Sequence, residues 1–383
     1  MKKRIAIVTW TRWRNYGTIL QSFALQKVVQ QLGYDVYVLR DTYIKSDYDI
    51  ANYKVPSFIE RLKAKIRRIV KFITFETTKE SPFWSYDKEL YEKCERFRSR
   101  NIRYWDVCYD NSNLSEIESN FDAFICGSDQ IWISSDGLFS SYYFLDFVKQ
   151  KPKISYAPSI SNSNYSQSKL QKMANWLSDF HSVSVREEIG KKVLSAIYSK
   201  KIEICIDPTL LLSRQEWMKL LNLKDEPADY VFCYFLGNQT WYKSDSIEFC
   251  KKNGLLMVYP PMMESDYEIG NTEYAPDPQE FVELILNSKW VLTDSLHALI
   301  FSFIFRKEVL VFPRFAEDDP ASENSRIEDF LQTFGLQDRM IKKRGRILQQ
   351  ISPIDYSIAA ERGATKKDAS INFLSRSLGS IKP

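Results

Sequence analysis

Short apolar runs of four to six residues alternate along this chain with longer segments whose apolar positions recur every three or four residues. That order predicts strands joined by helices. Residues 4–9 (RIAIVT) read as a strand. Residues 18–32 read as a helix with Ile19, Phe23, Val28, Val29 and Leu32 on one face and Gly33 as its stop signal, and residues 34–39 (YDVYVL) as a second strand. Strand, helix and strand in this order make a βαβ unit, hence a parallel sheet with a right-handed crossover. Further strands are expected at 122–126, 153–156, 182–185 and 202–206. After a polar pause around residues 208–228 they resume at 230–235, 255–259, 290–293 and 309–312. Helical spacing recurs at 244–252, 278–286 and 296–305.

The pause divides the chain into two consecutive α/β halves, and two doubly wound domains facing a cleft is the simplest architecture. We expect residues 1–210 to form the first domain and 211–350 the second. Residues 351–383 then form a helical tail that packs back on the first. Within the first domain, residues 54–75 stand apart: Phe58, Ile59, Leu62, Ile66, Ile69, Val70 and Ile73 recur at helical spacing among Arg61, Lys63, Lys65, Arg67, Arg68 and Lys71. Such a basic amphipathic insertion suits residues 56–75 to lie on anionic lipid, at the inner face of a cell membrane. An ordinary surface helix has the same composition, and both readings stay open.

Composition adds exclusions. A hydrophobic content of 44% supports large cores, and a net charge of +4 over 383 residues is too small for a general nucleic-acid binder. The cysteines (94, 108, 126, 205, 233 and 250) form no CxxC pair and neighbour no histidine, which argues against a zinc site and against a disulfide framework. Lys2-Lys3-Arg4 precedes too short an apolar run for a signal peptide, and no segment has the length and apolarity of a membrane span, so a cytoplasmic location is expected.

Ligands of doubly wound sheets bind beyond the carboxyl ends of the strands, which is where the candidate residues fall. Thr293-Asp294-Ser295-Leu296-His297 places one of only two histidines at a strand-to-helix turn, beside free N–H groups that favour an anion. His297 is either an acid/base group or a polar residue satisfied under a core helix. Asn15-Tyr16-Gly17 sits between the first strand and helix; it is neither a GxGxxG nor a Walker A sequence. Gly127-Ser128-Asp129-Gln130 can cradle a sugar or phosphate, or simply form a turn with Asp129 capping a helix. Arg186 follows a strand and suits a phosphate or carboxylate, unless Glu187 or Glu188 neutralises it. Arg314 and Arg326 form a further basic cluster, with Ile327, Phe330, Leu331 and Phe334 at helical spacing beyond it.

Together these blocks resemble the polysaccharide pyruvyl transferase family. The resemblance runs through Asn15-Tyr16-Gly17 with Leu20-Gln21, Gly127-Ser128-Asp129-Gln130 with Trp132, and Ser155-Tyr156-Ala157. It continues in Ser184-Val185-Arg186-Glu187 with Gly190, Asp207-Pro208-Thr209-Leu210-Leu211, and Thr293-Asp294-Ser295-Leu296-His297 with Phe301-Ser302. It implies two Rossmann-like domains arranged as in GT-B glycosyltransferases. It also implies transfer of pyruvate from phosphoenolpyruvate, the co-substrate, to a sugar acceptor, lipid-linked ones included, giving a ketal on a capsular or other cell-surface polysaccharide precursor. By that resemblance Arg186 and His297 belong to the donor site with Ser295 and Leu296, and no separate cofactor or metal is needed. Many relatives carry phenylalanine at 296 and glycine at 298, and some carry arginine at 295, so Arg314 or Arg326 is expected to supply the missing charge. Asp129 or Glu187 is a candidate assistant in proton transfer. The rival expectations are a GT-B enzyme using a nucleotide sugar and a non-catalytic glycan- or membrane-binding partner of an assembly complex.

Overall fold

The computed structural model describes residues 2–381, apart from 13, 43, 46–81, 108, 111, 268, 270–274, 318, 320, 321 and 350. The basic amphipathic segment at 54–75 therefore lies outside the described residues.

Two parallel sheets follow one another along the chain. The first has the order β2-β1-β3-β4-β5-β6, built from β1 (Arg4–Val8), β2 (Asp35–Leu39), β3 (Ala123–Cys126), β4 (Lys153–Ser155), β5 (Ser182–Val185) and β6 (Ile202–Ile204). The second has the order β10-β9-β7-β8, from β7 (Tyr230–Tyr234), β8 (Leu256–Val258), β9 (Trp290–Thr293) and β10 (Glu308–Val311). All the strand pairings are parallel. Parallel strands are covered on both faces, which is why they read in the sequence as unbroken apolar runs rather than as alternation. In each sheet the order reverses beside the first strand, between β1 and β3 and between β7 and β9. The crevices where ligands settle are therefore fixed at these two points.

Helix α1 (Tyr16–Gln31) starts directly behind β1, capped by the Asn15 side chain, which accepts from the Thr18 N–H. It is buried almost all round, because it lies between the first sheet and the second lobe instead of showing one face to water. Along its length Tyr16, Phe23 and Leu20 join Trp217, Tyr234, Phe281 and Phe301 in one apolar core. The lobes are therefore fused along this helix. Around the sheets lie α2 (Pro82–Asn101), α3 (Gln167–Leu177), α4 (Glu188–Ser195), α5 (Arg214–Leu221), α6 (Thr240–Asn253), α7 (Pro278–Asn287), α8 (Leu296–Phe305) and α9 (Ser325–Phe334). Capping boxes at Ser213/Glu216 and Asp277/Glu280 start α5 and α7.

The chain then runs through α10 (Tyr356–Gly379). Tyr356 donates to Lys307 O in the second lobe, whereas Ser370 accepts from Ile206 N and Arg376 pairs with Glu203 in the first. Among the described residues no helix is long and apolar enough to cross a membrane.

Candidate active site

Helices α1 and α8 each follow a central strand, β1 or β9, and turn their N-termini towards the junction of the lobes. Ser295 caps α8 and Asn15 caps α1. Between them lies a cavity of about 250 Å³. From the first lobe it is lined by Trp10, Asn15, Thr18, Asp129, Gln130 and Leu138, and from the second by Leu236, Ser295, Leu296, His297, Arg314 and Arg326. Two helix N-termini and two guanidinium groups make this a place for an anion.

His297 is carried by the second lobe but rests on the first. Its ring lies over Gly17 so closely that a Cβ there would come within 1.9 Å of Nδ1. Its buried Nε2 faces the Asp207 carboxylate at 3.4 Å, near enough to pair in charge but without hydrogen-bond geometry. Asp207 is the hub of the site. One of its carboxylate oxygens accepts from Arg186 Nη1 at 2.8 Å, and the other from the Thr209 N–H (3.0 Å) and hydroxyl (2.7 Å). Burial works against its charge, but His297, Arg186 and Thr209 outweigh it and hold the carboxyl well below the usual range.

Arg186 lines a second, smaller chamber of about 60 Å³, which shares Leu296 and Arg326 with the larger one. Burial opposes its charge, yet Asp207, Glu187 and Asp129 more than restore it. Its Nε and Nη2 are buried with no hydrogen-bond partner, although Nε stands 3.5 Å from Glu187 Oε2. Arg326 pairs with Glu323 at 2.7 Å and leaves its Nε likewise unmatched. Its guanidinium is brought down to about 10, first by burial and then by Arg186 and Arg314, with Glu323 opposing. It stays charged near neutrality, and three arginines press on one another here. Arg314 donates through Nη2 to Asp294 O at 3.2 Å.

Several expected residues have other positions. Tyr16 does not face the cleft: it is fully buried in the lobe junction, stacked on Phe281 at 4.4 Å, with its hydroxyl on Pro276 O at 2.7 Å. Gly127 and Ser128 do not line the cavity. A Cβ at Gly127, where φ is +128°, would meet Tyr156 O at 2.0 Å. Ser128 is tied to Gln21 through its N–H and to Ala157 O through its hydroxyl. Asp129 does reach the cavity, but no helix follows for it to cap. It accepts from the Thr18 hydroxyl and the Gln130 N–H. Glu187 spends one oxygen on Ser159, Ile160 N and Ser161 N, which makes it the anchor of that loop.

Asp207 was not among the expected site residues; the sequence marks it only as the first residue of the Asp207-Pro208-Thr209-Leu210-Leu211 block. Its distance along the chain from both partners hides its role. Asp294 too is an organiser: it accepts from Leu236 N (2.7 Å), Gly237 N (2.8 Å) and Tyr242 Oη (2.7 Å), locking the end of β7 to that of β9. Among the described residues no cluster of His, Cys, Asp and Glu is placed to hold a metal ion.

The family model for polysaccharide pyruvyl transferase matches residues 15–314, a span that contains every side chain of this cavity except Trp10 and Arg326. The chain belongs to the polysaccharide pyruvyl transferase family. Members of this family act on polysaccharide, so a sugar acceptor is implied. No match is found among curated proteins by sequence. In fold, the chain resembles a UDP-N-acetylglucosamine 2-epimerase from Rickettsia bellii (TM-score 0.50, 10% identity, 100% of this chain and 97% of that one). It also resembles the UDP-GlcNAc 2-epimerase of Methanocaldococcus jannaschii (TM-score 0.48, 11% identity, 96% and 93%) and an E. coli heptosyltransferase (0.39, 12%, 95% and 99%). At such identities the likeness is one of fold, and the fold is GT-B-like.

Proposed function

We propose that this cleft transfers the enolpyruvyl carbons of phosphoenolpyruvate to two hydroxyls of one sugar in a cell-surface polysaccharide precursor. What supports the reading is the convergence of His297, Arg314 and Arg326 on one cavity, with Arg186 behind them, in a chain of this family. Phosphoenolpyruvate carries a phosphate and a carboxylate, and such a ligand is held by fixed guanidinium groups and helix N-termini.

Protonation of the methylene carbon leaves an oxocarbenium-like centre at the carbon that bears the phosphate. A sugar hydroxyl adds there and gives up its proton. The C–O bond to phosphate then breaks, and a second hydroxyl closes the ketal with loss of its own proton. His297 is the group suited to carry a proton in these steps. The Asp207 carboxylate stands 3.4 Å from its buried Nε2. In this reading the protein works in the cytoplasm at the inner face of the membrane, with lipid-linked sugars among its acceptors.

The test is incubation with phosphoenolpyruvate and a panel of lipid- or nucleotide-linked sugars, following phosphate release and product mass. His297→Ala is expected to fold and to lose about a hundredfold or more in turnover. Full activity in that variant, or release of a nucleoside diphosphate from a nucleotide sugar in place of phosphate, would overturn the assignment. Sugar or liposome binding with no turnover of either donor would point to a silent partner protein.

A further inference from the structure

Asp207, on which Arg186 and His297 meet, stands where the first sheet runs out. β6 is the edge strand of that sheet, paired with β5, and its ladder ends with the Cys205 N–H on Val185 O at 2.9 Å. Beyond that bond the next residue, Ile206, is held by two side chains instead. Its N–H donates to the Ser370 hydroxyl at 3.0 Å, and its carbonyl accepts from the Tyr156 hydroxyl at 2.9 Å. Both side chains are buried, Ser370 with 1% of its surface exposed. Ser370 gives its own proton to Lys366 O at 2.8 Å, one turn back on α10, so its lone pairs are what the Ile206 N–H meets.

From Ile206 the placement passes to its neighbour. Asp207 has ψ 138°, in the extended range that a following proline requires, and Pro208 is that proline. The Thr209 N–H and hydroxyl then fix one oxygen of its carboxylate. The direction of the carboxylate is thus set locally, whereas its distance from Arg186 and His297 depends on where Ile206 is held. Removing the Ser370 hydroxyl leaves a buried N–H without its partner, a loss that the chain can relieve only by shifting. Helix α10, which supplies that hydroxyl, lies wholly outside the residues that the family model matches.

We propose that Ser370 is a positioning residue: from α10 it fixes the Ile206 backbone, and so the distance of the Asp207 carboxylate from Arg186 and His297. Tyr156 is the second tie, on the carbonyl side of the same residue. The idea rests on the functional reading only in taking Arg186, Asp207 and His297 as the working site.

The two histidines of the chain report on different places. His297 faces Asp207 at 3.4 Å, while His181 Nε2 is 2.6 Å from the hydroxyl of Ser380, the C-cap residue of α10. The experiment follows the ring signals of both by NMR in the full chain with labelled histidine, and titrates inorganic phosphate by calorimetry. Ser370→Ala is expected to shift the His297 signals and leave those of His181 in place. It should also weaken phosphate binding about tenfold, less than the roughly hundredfold that an ångström of displacement in a reacting group costs. Ser370→Thr, which keeps the hydroxyl, should restore both. Arg376→Ala removes a different tie of α10 to the first lobe, the pair with Glu203 at 2.7 Å, and should alter neither. Unmoved His297 signals with wild-type phosphate affinity in Ser370→Ala overturn the proposal. So does an equal effect of Arg376→Ala, which would mean that α10 only buttresses the lobe. If Ser370→Ala does not fold, Tyr156→Phe releases Ile206 from its carbonyl side, and unmoved His297 signals there overturn the proposal instead. Dependence on Ser370 as expected, with no turnover of phosphoenolpyruvate, sinks the functional reading alone.

Discussion

At the scale of single residues, the site depends on what its neighbours lack. Gly17 is required for space: its missing side chain is the seat of the imidazole. Gly17→Ala should leave the fold intact and displace His297, with turnover falling about a hundredfold, because a shift of about an ångström in a reacting group costs that much. A combination of circular dichroism and phosphate release checks it, and undiminished turnover would show that the ring does not work from this seat. Gly17 stands in a motif that the sequence marks out, but its contact with His297 joins distant parts of the chain and cannot be read from spacing. The same holds for Asp207. Tyr16 was misleading for a related reason: the motif that carries it borders the cavity, and the first turn of α1 points that one side chain into the lobe junction instead.

At the scale of elements, the sequence is a good guide wherever burial is one-dimensional. The strands announce themselves because both faces are covered, and α8 because Ser295 caps an apolar run. Less legible are the turns beyond the strands, where carboxylates bind backbone N–H groups from another strand. Asp294 is the plainest case, with two N–H groups and one hydroxyl at its oxygens. Removing it strands those donors in a buried turn. Asp294→Ala is therefore expected to destabilise the second lobe by about 3 kcal/mol, the cost of orphaning buried groups, which urea unfolding followed by tryptophan emission would measure. A change below about 0.5 kcal/mol, the range of ordinary surface substitutions, would mean that water replaces the carboxylate.

At the scale of the molecule, the two halves legible in the sequence share one core across α1. Lobe motion is the default for domains joined by a small polar interface, and a large apolar one suppresses it. Saturating phosphoenolpyruvate should thus leave the radius of gyration in small-angle scattering unchanged, and a marked contraction would show that the junction opens after all. Any adjustment on binding is then expected in side chains and loops around Arg314 and Arg326.

The imidazole that sits on Gly17 has one more consequence. Its covalent attachment and its resting place belong to different lobes, so on the proposed function neither lobe, however well formed, holds the proton carrier in place alone. During refolding, catalysis should be the last property to return, trailing ellipticity and compaction, and an assay of turnover is a stricter gauge of native assembly than any spectroscopic signal.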